Sequence, residues 1–228
     1  MKNILIYHHL GLGDHVVCNG LVRELVYRHQ PDFAYVPVKH HNFDSVRRMY
    51  ADSVRIVCVP VRDDHDAESL VSILGCSKVF KAGFEKCRRD WDVSFYDSVG
   101  IPFEKRWTEF KCDRDYSRER KLELIVNPSE GPFILIHNTG SERSYPVVTR
   151  NDLPIIHIEP IVSGEFNGCL VDWCRLIEKA EEIHCVDSSA IHFCASLGRP
   201  GVFHDFGKCD SWGGHFRLPS NWTTINCR

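Results

Sequence analysis

Asp187-Ser188-Ser189-Ala190-Ile191-His192-Phe193-Cys194-Ala195-Ser196-Leu197-Gly198-Arg199-Pro200 is the stretch on which the reading of the fold turns. The apolar run 183–186 leads into it, and a Gly-x-Pro stop closes it before the next apolar run, 201–206. The order is strand, small polar turn, helix, strand. A helix that begins at a serine pair directs unpaired N–H groups and the positive end of its dipole outward, an arrangement that binds anions, phosphates above all. A related turn, Gly11-Leu12-Gly13-Asp14, follows the first apolar run, 3–8.

Outward from these turns, apolar runs alternate with amphipathic stretches. Strands are expected at 3–8, 33–38, 54–61 and 78–81, with helices at 15–29, 42–50 and 66–74. In the first of these helices Val17, Leu21 and Leu25 share a face, while Arg23, Glu24 and Arg28 lie off it. A further helix is expected from Trp91, closed by Gly100 and Pro102, and then a charged stretch, 105–121, with seven basic and four acidic residues. That stretch reads as a solvated helix face. Pro128, Gly131 and Pro132 break the chain, and the rhythm restarts with strands at 133–137, 155–158, 183–186 and 202–206 and helices at 171–179 and 190–197. Strands alternating with helices imply parallel βαβ units. The expectation is an α/β protein of two Rossmann-like lobes, 1–127 and 128–228, whose parallel sheets face an interdomain cleft.

Composition narrows the class. A chain of 228 residues with 43% hydrophobic and 26% charged content can bury a core. A net charge of −3 argues against nucleic acid as the main partner. The N-terminal run lacks the pattern of a secretory signal, and no apolar run approaches bilayer-spanning length, so the expected location is cytoplasmic, without a transmembrane segment. The eleven cysteines include no Cys-x-x-Cys pair, and Cys18, Cys58, Cys185 and Cys194 sit inside apolar runs, so they read as reduced core thiols.

The Gly11 turn occupies the place of a dinucleotide fingerprint, but Val16 stands at its third glycine and Asp14 sits where a pyrophosphate would lie. A carboxylate there repels a diphosphate, which disfavours an NAD-dependent oxidoreductase. Asp14 reads as a general base beside His15, His8 and His9, or as a helix cap; one residue can do both. In the second turn Ser188 and Ser189 offer hydroxyls and N–H groups to phosphate oxygens. His192, one turn in, is either a ligand contact or a core histidine.

Residues 187–200 resemble the D-S-G-x-x-H-x-A-x-x-L-G-x-P signature of the heptosyltransferase-like glycosyltransferases, which have the GT-B fold. The match falls at Asp187, Ser188, His192, Leu197, Gly198 and Pro200. The Gly11 turn resembles that family's N-terminal G-x-G-D. Two features depart from the pattern: Ser189 replaces the signature glycine, and no Lys/Trp heptose-type motif follows the strand at 133–137. The resemblance implies transfer of a sugar from a nucleoside diphosphate sugar to an acceptor hydroxyl, inverting and without a cofactor or metal. It places the donor on the C-terminal lobe and the acceptor on the N-terminal lobe. Asp14 is then the base, with Gly11, Gly13 and His15 around the acceptor side. The donor side would be formed by His137, Thr139, Ser141, Arg143, Glu159, Asp187, Ser188, Ser189 and His192. A binding module without turnover is the alternative. The Asp-x-Asp triplets at Asp64–Asp66, Asp90–Asp92 and Asp113–Asp115 do not end apolar strands as a metal–diphosphate site requires, and Asp113–Asp115 reads as a helix start.

Overall fold

The computed structural model describes residues 2–84, 90–140, 143–159, 161–163, 166–167, 169–207 and 215–228. The chain divides into two compact units: Met1–Asp113 with Gly213–Arg217, and Arg114–Trp212 with Leu218–Arg228.

In the first unit the chain runs β1 (Ile4–His8), α1 (Leu12–Val17), α2 (Asn19–His29), β2 (Ala34–Lys39), α3 (Phe43–Tyr50), β3 (Ile56–Val61), α4 (Asp64–Ile73), β4 (Lys78–Ala82), α5 (Trp91–Ser98) and α6 (Lys105–Thr108). The strands form one parallel sheet in the order β3-β2-β1-β4. Every residue of β1 is buried, as befits a central strand of a parallel sheet covered on both faces. The single helix expected at 15–29 is broken at Cys18, which ends α1 and starts α2. Gly20 follows the break, and a Cβ there would lie 2.0 Å from the Lys105 carbonyl oxygen, so α6 rests on the bare backbone of α2.

In the second unit α7 (Tyr116–Val126) precedes β5 (Ile134–His137), β6 (Ile155–His157), a two-stranded antiparallel ribbon of β7 (Ile161–Ser163) and β8 (Phe166–Asn167), α8 (Cys174–Lys179), β9 (Glu182–Cys185), α9 (Ser189–Ser196), β10 (Gly201–Asp205) and β11 (Trp222–Asn226). The main sheet is parallel, in the order β11-β10-β9-β5-β6. The sequence reading missed β11, whose Thr-Thr-Ile-Asn run is exposed and polar beyond the buried Trp222. It also missed the ribbon.

The charged stretch is where expectation and structure part most. The unit boundary falls after Asp113 instead of after Asn127, because α7 binds the elements that follow it. Arg118 reaches Asp172 at 2.7 Å, and the buried Glu123 receives Arg120 at 2.7 Å, Arg175 at 2.6 Å and Lys179. Those three cations hold the Glu123 carboxyl down at about 2, against the opposing effect of desolvation. Asp115 caps α7 by accepting from the Arg118 N–H at 3.0 Å, as read from sequence. Arg106, by contrast, has no exposed surface. Its guanidinium pairs with the equally buried Asp92, stacks 4.1 Å from the Trp107 ring centroid and donates to the Arg217 carbonyl at 3.3 Å. Asp92 also accepts from the N–H groups of Val93 and Arg217. This knot joins α5, α6 and the returning segment in one unit. Asp92→Ala strands a buried guanidinium, and we expect it to destabilise the first unit by about 3–5 kcal/mol. Urea unfolding measures the loss; a change under about 1 kcal/mol contradicts this role for the pair.

Candidate functional site

Each parallel sheet reverses its strand order once. In the first unit β2 and β3 extend from one side of β1, and β4 returns to the other. In the second unit β6 lies on one side of β5 and β9, β10 and β11 on the other. Loops leaving adjacent strands at such a reversal run in opposite directions, and ligands of open α/β sheets bind in the gap at the carboxyl ends. The two turns singled out from sequence sit there. Gly11–Asp14 follows β1, and Asp187–Ser189 follows β9.

At the β1/β4 reversal, His9 donates from Nε2 to the Gly83 carbonyl at 2.8 Å, tying together the loops after β1 and β4. Gly11 starts α1 with no side-chain cap, and Asp14 stands in the first turn. A Cβ at Gly11 would come 2.4 Å from Asp14 Oδ2, so the carboxylate lies over the bare glycine backbone. Asp14 is half-buried, as are Leu12 and Gly13. His15 is a correction: it is fully buried, its two ring nitrogens lack hydrogen-bond partners, and it packs edge-on against His8 with centroids 4.5 Å apart. It is a core residue, not a surface contact for substrate.

At the β5/β9 reversal, the Val186 N–H donates to the His137 carbonyl at 3.0 Å, closing the strand ends. Ser188 is the N-cap of α9, yet its side chain caps nothing. Its hydroxyl donates to the Val186 carbonyl at 3.1 Å, and its oxygen lies 3.0 Å from His137 Nδ1, which donates to it. The hydroxyl is thereby turned away from the helix, and Ser188 makes no side-chain cap to the first turn of α9. Asp187, Ser188 and Ser189 are all half-buried. His192 is 2% exposed, the core histidine of the two readings.

Thr139 forms an isolated antiparallel bridge with Ser144, Oγ1 to Oγ at 3.2 Å. The exposed Arg143 lies 4.9 Å from the Tyr145 ring, which packs 4.9 Å from Phe206 just beyond β10. Sequence reading missed this aromatic pair; the only signal was Phe206 closing an apolar run. Glu159 is exposed past β6, one strand further from the reversal. Ser141 lies outside the described residues. The structure thus joins His137 to Ser188 directly and Arg143 to the β10 end through Tyr145, while Gly11, Gly13 and Asp14 belong to the other unit.

The Asp-x-Asp acids have other partners. Asp64 accepts from the Tyr7 hydroxyl at 2.6 Å and Asp66 pairs with Arg62 at 2.7 Å. Asp63, His65 and Asp66 bring donor atoms within 4.8 Å of one another on the surface of α4. Among the described residues no helix is long and apolar enough to cross a membrane. The nine described cysteines carry free thiols, five of them buried.

Burial pushes His8 and His137 down to about 4. Unfolding returns both to about 6.5, so between these values the unfolded chain binds more protons. Their contribution to stability is therefore complete above about pH 6.5 and drains away as pH falls toward about 4. The slope per histidine is at most about 1.4 kcal/mol per pH unit. We expect a lower Tm at pH 5 than at pH 7 and a shallower slope in His137→Asn; equal melting at the two pH values contradicts this.

No family model and no curated protein matches the sequence. Solved structures do. The glycosyl transferase family 9 protein from Veillonella parvula DSM 2008 superposes with a TM-score of 0.65 at 8% identity, covering 98% of this chain and 86% of that one. E. coli ADP-heptose LPS heptosyltransferase II gives 0.58 at 13% identity, covering 99% and 90%. E. coli heptosyltransferase WaaC, solved with ADP-2-deoxy-2-fluoro heptose, gives 0.54 at 11% identity, covering 100% and 94%. The chain therefore has the two-unit, parallel-sheet α/β fold of these glycosyltransferases, the GT-B-like class expected from sequence.

Proposed function

We propose that this protein is a glycosyltransferase that moves a sugar from a nucleoside diphosphate sugar to an acceptor hydroxyl. The observation that carries the reading is the N-terminus of α9 at the β5/β9 reversal, whose cap serine is engaged by His137 and the Val186 carbonyl instead of capping the helix. Helix dipole and first-turn N–H groups supply the positive end that a leaving diphosphate needs. Arg143, exposed and propped on Tyr145, adds a planar guanidinium suited to bidentate phosphate binding. We assign the donor to this second unit, with Thr139, Asp187, Ser188 and Ser189 beside it and Glu159 toward the nucleoside.

The acceptor belongs to the first unit. Asp14, half-buried in the first turn of α1 and lying over the bare backbone of Gly11, serves as general base, and Gly11 and Gly13 keep the approach to its carboxylate open. Asp14 takes the proton of the acceptor hydroxyl, and the oxygen attacks the anomeric carbon. The bond to the diphosphate oxygen breaks, and the electron pair leaves with the diphosphate. A single displacement of this kind inverts the anomeric centre. The fixed dipoles and Arg143 take the part a metal plays in other transferases, so we propose a metal-independent reaction in the cytoplasm.

A thermal-shift screen of nucleoside diphosphates and their sugar conjugates identifies the donor, because a ligand selective for the folded state raises Tm by mass action. With that donor, Asp14→Asn is expected to lower transfer by about 10²–10⁴-fold while the ligand-induced shift persists. Transfer at the wild-type rate contradicts the role of Asp14. Stabilisation by NAD alone, with no response to any nucleoside diphosphate, contradicts the function.

A further inference from the structure

A row of titratable side chains crosses one face of the second unit's sheet, from the start of β9 to the end of β11. Glu182 and His184 stand two apart on β9 and share that face. Val202 pairs with His184, so His204, two residues on, is its diagonal neighbour on the same face, and Cys227 follows β11 beside it. Glu182 Oε2 lies 3.0 Å from His184 Nε2, and His184 Nδ1 lies 2.9 Å from His204 Nε2. His204 Nδ1 lies 3.8 Å from Cys227 Sγ. The two imidazoles are 5% and 4% exposed, and the thiol at the end of the row is half-buried.

The carboxylate fixes the direction of the hydrogen bonds. Asn151 donates to the other oxygen of Glu182 at 3.1 Å, leaving Oε2 to accept from His184 Nε2–H. With its proton on Nε2, His184 presents a bare Nδ1, which accepts from His204 Nε2–H. His204 in turn presents a bare Nδ1 to the sulfur. Burial and the neighbouring His184 push the His204 pKa down, which keeps that nitrogen a base at neutral pH. The Cys227 sulfur also lies 3.6 Å from the Ile225 carbonyl oxygen, a second resting place for its proton. The donor atoms are strung along a line through opposite sides of each ring and do not converge on a point, as a metal centre requires. A nucleophile within reach of a base that a third group orients is the arrangement of activated thiols.

We propose that Cys227 is a reactive thiol that exchanges with low-molecular-weight disulfides, with His204 as its base and His184 and Glu182 as positioning residues. The thiol proton passes to His204 Nδ1, and the sulfur attacks one sulfur of the disulfide. A new S–S bond forms as the old one breaks. The departing thiolate carries away the electron pair and recovers the proton from His204. Cys227 is oxidised, half of the disulfide is reduced, and the disulfide is the only oxidant. Exchange at sulfur needs a thiolate and an accessible in-line sulfur and creates no oxyanion to be stabilised.

The test is a time course of the intact protein with oxidised glutathione at pH 7, with each cysteine followed by peptide mass spectrometry. Cys76, also half-buried, with its thiol pushed up by burial, is the internal reference. Cys227 is expected to react about tenfold faster than Cys76, and His204→Asn to remove most of that advantage. Exposure of the buried Cys185 and Cys194 to reagent reports whether His204→Asn has lost its fold. If it has, Glu182→Gln decides, since that side chain is 39% exposed; it is expected to slow Cys227 about threefold. Cys227 reacting no faster than Cys76 overturns the proposal. So does a fast reaction that a folded His204→Asn leaves unchanged or, where that variant fails to fold, one that Glu182→Gln leaves unchanged.

Discussion

The N-terminus of α9 is the feature on which the functional account rests. A helix starts with N–H groups that have no partner inside it, and most helices meet that need with a cap side chain. Here the cap residue has the right chemistry and uses it elsewhere. Ser188 gives its proton to Val186 and its lone pair to His137. Burial keeps His137 uncharged, so it acts as a neutral donor and adds no competing cation behind the turn. Ser188 thus makes no side-chain cap to the first turn of α9. In the proposed function a diphosphate meets that turn, at the strand-order reversal where ligands of open parallel sheets bind.

The first unit solves the opposite problem with the same architecture. Its turn after β1 carries an acid at the helix start, which satisfies the dipole internally and makes the turn unfit for a second anion. Two glycines leave the backbone bare around that acid, and a side chain at Gly11 would collide with it. In the proposed reaction one turn accepts negative charge and the other supplies it. That division is what a displacement reaction with an anionic leaving group and a base demands.

Features fixed by adjacent residues could be read from the sequence. The strand–turn–helix at 187–200, the Gly11 turn, the alternation of elements and the Asp115 cap each depend on neighbours within a few positions. Features set by distant partners could not. Arg106 looks like one more charge in a charged run, and only its pairing with Asp92 and Arg217 takes it into the core. Asp172, Arg175 and Lys179 draw α7 across the expected boundary. His15 sits at the right place in a turn motif, yet helical geometry turns it under the strand against His8. An edge strand as polar as β11 shows no alternation to distinguish it from a loop.

The most direct measurement of the central claim sets stability against binding in one variant. Ser189→Asp places a carboxylate in the first turn of α9, where it should satisfy the dipole and raise the unfolding free energy by about 0.3–1 kcal/mol. The same charge occupies the anion's place. Calorimetric titration with the nucleoside diphosphate that stabilises the wild type should then show affinity reduced by at least about tenfold. Unchanged affinity in a folded Ser189→Asp protein would mean that the diphosphate does not bind at α9.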